Sequence, residues 1–191
     1  MKFFLNISLC FFIFTPWAQT SPKPVISLES QIVLNQLKEE FNRRTAGLDS
    51  TQKQKLKEMV IDQILFNIDR VPDYRVLESA RLWSAYHAEA VIPELIQRLS
   101  VRDSVGLNQI YDLQIPERVA LGHMPKDTYG KIVENDLFTV AGRANWLLQA
   151  LSGKSFAKVG IQYSISDAEY LTKAWSDYYK LPCCEIKKPA E

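Results

Sequence analysis

The side chains best equipped for chemistry gather in one stretch, where His123 is followed by Asp127, Tyr129, Glu134 and Asp136. An imidazole beside carboxylates and a phenol could supply a general base or a set of metal ligands. No spacing within the set is diagnostic, and loops are rich in polar residues whatever they do. His123, Tyr129 and Asp136 therefore stand as a candidate ligand or interface site, with no catalytic residue and no metal ligand assigned. A second grouping joins His87-Ala88-Glu89 to Pro182-Cys183-Cys184. Zinc deaminases hold their metal with one His and two Cys while a Glu moves protons, but they need two residues between the cysteines so that both thiolates reach one ion. Here the cysteines are adjacent, and His87 reads as a packing residue on a helix face. Serine-nucleophile signatures, phosphate-cradling glycine loops and dinucleotide fingerprints are missing, and no cofactor is expected.

A third set is distinguished by where it lies. Arg143 and Asn145 sit in a strongly apolar segment that Asp136 opens, and burying them is costly unless each finds partners. Asp112, Glu117 and Arg118 are the nearest candidates. Asp112, Glu117, Arg118, Asp136, Arg143 and Asn145 are thus expected to form a structural polar network that pins the preceding connection to this helix.

These residues are carried by a chain whose periodicity is helical almost throughout. After the extended Pro22–Pro24 leader, Leu28, Ile32, Leu34, Leu37 and Phe41 predict a helix from about Ser27 to Ala46. Asp49 and Ser50 offer caps for a second helix in which Leu56, Met59, Val60, Ile64, Leu65 and Ile68 form one broad face, ending before Pro72. Lys53, Lys55 and Lys57 read as its solvated surface. A third helix starts near Asp73, with Val76, Leu77, Ala80, Trp83 and His87 on one side. A fourth opens at Pro93, a residue suited to a first turn, and pairs tightly and antiparallel with the third. Residues 101–135 lose the period and gather Gly106, Pro116, Gly122, Pro125 and Gly130, a long irregular connection relieved by short helices near 107–113 and 116–121. Asp136 caps a fifth, deeply buried helix through Leu137, Val140, Ala141, Ala144, Leu147, Leu148 and Leu151, closed by Gly153. A Ser166-x-x-Glu169 capping box starts the last helix, about 167–180. Only 158–164, where Val159, Ile161 and Tyr163 alternate, could be extended, and a lone strand has no sheet to join. The fold class is all-α.

With 47% hydrophobic and 24% charged residues in 191, the composition is that of one globular domain. Lys and Arg number 23 against 22 Asp and Glu, which leaves no basic excess for nucleic acid. Lys2, the apolar stretch Phe3 to Phe14 and Ala18 have the layout of a secretory signal. Residues 1–18 are accordingly expected to be removed, although a cut nearer Thr20 would avoid Pro16 at the third position before the site. The stretch is too short to remain as a stable membrane anchor, and Cys10, inside it and behind Leu9, lacks the small neighbour a lipid attachment site requires. The expected divisions are a signal peptide at 1–18, a leader at 19–26, a helical domain at 27–181 and a tail at 182–191. Export would leave Cys183 and Cys184 as the only thiols in an oxidising space. A bond between adjacent cysteines closes a strained ring, which leaves a disulfide-linked dimer through Cys183 or Cys184 as a competing fate.

Ala90-Val91-Ile92-Pro93-Glu94-Leu95-Ile96-Gln97-Arg98-Leu99 reads like the second helix of a HEAT-type repeat, and the run from Asp136 through Leu148, with Leu151-Ser152-Gly153-Lys154-Ser155-Phe156 and Trp175, is more specific. Together with Val105-Gly106-Leu107, Asp112-Leu113, Glu117-Arg118 and Gly122-His123, it resembles the C-terminal part of bacterial HEAT-repeat-like proteins over about residues 76–178. The resemblance implies antiparallel helix pairs and an interaction role, and carries no activity. Where that family favours Phe-Gly, this chain has Phe156-Ala157. No clean internal period of about 40 residues is present, so a compact HEAT-like domain is expected rather than a regular solenoid. The functional expectation is an exported, periplasmic or secreted protein that binds a protein partner or acts as a scaffold in the cell envelope. The alternatives are an envelope hydrolase using residues 123–136 and an immunity or inhibitor protein.

Overall fold

A computed structural model describes residues 22–126 and 130–182. The expected signal peptide, Asp127, Tyr129, and Cys183 with Cys184 lie outside these residues. Among the described residues the chain is mostly helical: α1 (Leu28–Arg44), α2 (Ser50–Lys57), α3 (Ile61–Arg70), α4 (Tyr74–Ser84), α5 (Ala88–Arg98), α6 (Pro116–Ala120), α7 (Val140–Ser152) and α8 (Ile165–Tyr179). The strands among the described residues are β1 (Leu113–Gln114) and β2 (Lys131–Ile132), a parallel pair with Leu113 opposite Lys131.

Ser27 caps α1 by accepting from the Ser30 amide, and Leu34, Leu37 and Phe41 bury its inner face. The expected face reached further back, but Leu28 and Ile32 are exposed, at 79% and 52%. The predicted second helix is two helices. The Asp49–Gln52 capping box starts α2, which buries no residue, and the chain leaves helical geometry between Glu58 and Val60 before α3 starts. With only Leu56 reaching the edge of the core to hold its register, a short lysine-rich helix has little to prolong it. Ile64, Leu65 and Ile68 then anchor α3, which stops two residues before Pro72.

Asp73 caps α4, which starts where expected, but the expected tight pairing of α4 with α5 is replaced. The principal contacts of α4 are with α1, α3 and α7, and those of α5 are with α3, α7 and α8. The cause is α7, whose buried residues lie on all sides and which therefore packs between other helices rather than on one neighbour. Helix α5 begins at Ala88, not at Pro93, which falls inside it. His87 ends up at the start of α5 rather than on a face of α4. Its backbone carbonyl accepts from the Ala90 and Val91 amides, and its Nε2 lies 2.8 Å from the Lys57 carbonyl oxygen.

The connection from 101 to 135 is packed, not open. Leu107, Leu113, Ile115, Met124 and Val133 are all buried in the same apolar cluster as the helices. No helix forms at 107–113, whereas α6 forms where Pro116 presets a first turn. The connection also terminates α7 electrostatically, because the Asp103 and Val101 carbonyls accept from the otherwise unpaired Val140 and Ala141 amides. The N-cap itself is Thr139, not Asp136, with its hydroxyl accepting from the Gly142 amide at 3.1 Å. Asp136 lies three residues further back and is used otherwise. Gly142 is required here, since a Cβ would collide with the Asp136 carbonyl. At the other end Gly153 adopts φ 72° and stops α7 as expected. The cap of α8 is Ser164 with Asp167, two residues ahead of the predicted Ser166–Glu169 box. Among the described residues no helix is long and apolar enough to cross a membrane.

Candidate functional site

Arg143 is completely buried, with 0% exposure, and among the described residues no carboxylate pairs with it. Its fork is filled by backbone. Nε donates to the Leu137 carbonyl at 2.8 Å, Nη1 to Ile68 and Val71 at 2.8 and 2.9 Å, and Nη2 to Gly106 at 2.7 Å. Ile68 and Val71 belong to the end of α3, where unpaired carbonyls concentrate partial negative charge. Arg143 thus ties α3, the start of the connection and the entry to α7 together. Burial pushes its pKa down to about 10, with Asp69 pulling the other way, so the guanidinium is still charged at neutral pH.

Arg118 and Asp136, both members of the expected polar set, form a two-point pair. Arg118 Nε and Nη2 donate to Oδ1 and Oδ2 at 2.7 and 2.8 Å, and Asp136 is 1% exposed. The Phe138 amide adds a third hydrogen bond to Oδ1 at 3.2 Å, and the Arg118 guanidinium lies 4.0 Å from the centre of the Phe138 ring. Asp136 is therefore committed on both oxygens. Glu117 accepts from the Ile161 amide at 2.9 Å, bringing the segment before α8 onto α6.

Asn145 belongs to a separate relay. Its Nδ2 donates to Asn135 Oδ1 at 2.7 Å and to the Ala157 carbonyl at 2.9 Å, while its Oδ1 accepts from Trp175 Nε1 at 2.9 Å. Asn135 in turn donates to Gln149 Oε1 at 2.8 Å and accepts from the Val159 amide at 3.0 Å. These bonds hold the 155–160 segment, and with it the one stretch that alternated, as a packed loop between α7 and α8. Asn135 and Gln149 were not singled out from the sequence, and Trp175 was noted only for the resemblance, not as a member of the polar network. The available signal was Trp175, an indole donor on an apolar helix face that needs an acceptor once buried.

Asp112 is exposed and takes part through its backbone, its carbonyl accepting from the Lys131 amide at 2.8 Å. His123 is exposed, and its amide donates to the Arg118 carbonyl at 2.8 Å. Tyr129 lies outside the described residues. The polar set is thus three structures with different jobs, and Asp136 has no lone carboxylate oxygen to offer as a base. Among the described residues no three His, Cys, Asp or Glu side chains are grouped to hold a metal ion.

A concave feature of the surface lies elsewhere. A groove of about 950 Å³, open along one side, runs between α3 and α5. Ile61, Leu65 and Phe66 form one wall and Ala90, Pro93 and Ile96 the other, with Leu181 and Pro182 bordering it after α8. The leader joins the same border, Val25 donating its amide to the Tyr179 carbonyl at 2.8 Å. Phe66 is 55% exposed within it. Arg98 lies in the groove between two carboxylates, Asp69 at 2.9 and 3.0 Å and Glu94 at 2.9 Å. Its pKa is raised by these acids although burial alone would lower it. Ser176 also lines the groove, buried, with no hydrogen-bond partner for its hydroxyl among the described residues. The sequence signal for this site was Phe66, an apolar residue between Asp62 and Asp69 at helical spacing, on the side of α3 that faces away from Ile64 and Ile68.

No family model matches the chain, and neither a curated protein nor a solved structure matches it.

Proposed function

We propose that this is an exported α-helical protein of the cell envelope, built from HEAT-like antiparallel helix pairs, that works by binding another protein. The groove between α3 and α5 carries the reading: a long, open, largely apolar surface with a half-exposed Phe66 suits a polypeptide better than a small molecule, which is ordinarily enclosed. Of the residues first considered for chemistry, Asp136 supports it from the other side, since it spends its hydrogen-bonding capacity on the fold, as Arg143 and Asn145 of the structural set do. Export is supported by the sequence of residues 1–18, and the HEAT-like arrangement by the helical content and by α3 packing on α4.

The test is site-specific. A photo-crosslinking phenylalanine analogue placed at Phe66 should give an adduct with one protein in the periplasmic fraction, and the same analogue at Tyr111, exposed on the connection, should not. Equal adducts at both positions, or a copurifying small molecule or metal with no adduct, would reject the binding role. Mass spectrometry of the same material should find the N-terminus between Gln19 and Ser21, and an intact Met1 in the cytoplasm would reject export.

A further inference from the structure

The α3–α5 groove is unbalanced in charge. Arg98 is outnumbered by Asp69 and Glu94, which hold it from both helices. Asp62, exposed one turn before Phe66, has no ion-pair partner among the described residues. Lys23 and Glu89 neutralise one another at 3.0 Å. The walls therefore carry more acid than base, and the surplus lies on the helix face that presents Phe66, because residues three and four apart on a helix share a face. The Ser176 hydroxyl, buried at the groove with no hydrogen-bond partner among the described residues, adds a polar group that an occupant could satisfy.

We propose that the groove is the docking site for a cationic amphipathic segment of another protein, one that covers Phe66 and Leu65 with apolar side chains and sets a Lys or Arg between Asp62 and Asp69. The inference rests on the protein-binding role proposed above and names the chemistry of the partner. Two helices flanking an apolar trough is the geometry in which a third amphipathic segment is usually received. A second copy of this chain meeting groove to groove would set acid against acid, which disfavours that pairing. Charge complementarity to a basic segment would instead steer encounter and weaken with salt.

Two labelled peptides of equal length and identical leucine face, one with lysine and one with glutamate on the polar face, distinguish the outcomes by fluorescence anisotropy on the full chain. The lysine peptide should bind about tenfold tighter or better than the glutamate peptide, and lose that margin in high salt. Phe66→Ser should weaken it about tenfold, and Asp62→Lys about fivefold; both sites are exposed, so circular dichroism should be unchanged. Equal binding of the two peptides, both lost with Phe66→Ser, would overturn the cationic partner while leaving a protein-docking groove in place. Binding that ignores Phe66→Ser would overturn both. Sedimentation showing a dimer that Phe66→Ser abolishes would assign the groove to a second copy. Peptide binding that tightens about tenfold on reversing Lys187 and Lys188 to Glu would assign it to the chain's own C-terminal segment. Either of these last results overturns the proposal.

Discussion

Arg143 shows how a charged residue becomes structural without a counter-ion. Four carbonyl oxygens from three separate stretches accept from its fork, and all four would be orphaned by truncation. Arg143→Ala is expected to destabilise the fold by about 3 kcal/mol or more, the range for stranding buried acceptors and opening a cavity together. Arg143→Lys should recover little of this, because an ammonium presents its donors from one point and cannot span four acceptors. Urea unfolding decides, and a loss below about 0.5 kcal/mol would reject the role. The Arg118–Asp136 pair makes a different demand. Arg118→Ala leaves the nearly inaccessible Asp136 carboxylate unpaired and should cost about 3 kcal/mol, whereas replacing both residues together by Met and Leu should cost less than the sum of the single changes. A double-mutant cycle showing simple additivity would count against the coupling. The contrast also explains what could be read in advance. A carboxylate and a guanidinium announce each other by type, so Arg118 and Asp136 were both in the expected set. Backbone carbonyls are present at every residue, so nothing in the sequence singles out Ile68, Val71, Leu137 and Gly106 as the acceptors for Arg143.

Helix ends depend on which of several competent residues the packing selects. Ser164 and Ser166 are both capping types, and each is followed three residues later by an acid, Asp167 and Glu169. The structure uses the first, with Ser164 Oγ accepting from the Asp167 amide and the Asp167 carboxylate accepting from the Ser164 amide at 2.8 Å. That choice places Ala168, Leu171 and Trp175 inward on one stripe. Ser164→Ala should then lower stability by about 1 kcal/mol and Ser166→Ala by less than half that. The reverse order in thermal melts would restore the later start. The same selection by packing overrode the pattern elsewhere. Apolar periodicity through 56–68 is continuous, yet Leu56 and Met59 reach only the edge of the core and Val60 is left largely exposed, so α2 and α3 part where the core contacts run out. At α5, Val91 and Ile92 are buried ahead of Pro93, and that burial extends the helix across a residue whose missing N–H would ordinarily start one. Gly153, and the caps Ser27, Asp49 and Asp73, were legible; at Asp136 with Thr139 and at Ser164 with Ser166, two competent caps lie close together and the packing made the choice.

On the scale of the whole chain, α7 is the hub to which α1, α3, α4 and α5 are packed, and the 101–135 connection is fastened to its first turn. The helical character and the burial of α7 follow from apolar density alone, but the arrangement around it depends on side chains that meet only after folding. The groove arises the same way, from two helices whose inner faces were predicted and whose outer edges were not. Buried tyrosines give this assembly a limit at high pH. Burial raises the pKa of Tyr74 to about 12 and raises Tyr163 and Tyr179 further, all from an ordinary 10.0. Tyr163 also donates its hydroxyl to the Leu99 carbonyl at 2.9 Å, joining the approach to α8 to the end of α5. Because the folded state holds these protons more tightly than the unfolded chain, their contribution is intact below pH 10 and is lost as pH rises towards the folded values. Stability should therefore be nearly flat from neutral to about pH 9 and fall steeply above pH 10, with tyrosinate absorbance and loss of helical circular dichroism rising together. Tyr163→Phe should move that transition to higher pH, since it removes one of the titrating groups while keeping the ring. Smooth ionisation of all the tyrosines near pH 10 with the helical signal unchanged would show that these phenols are reached by water in the folded protein, and that the packing of α5 and α8 is looser than their burial implies.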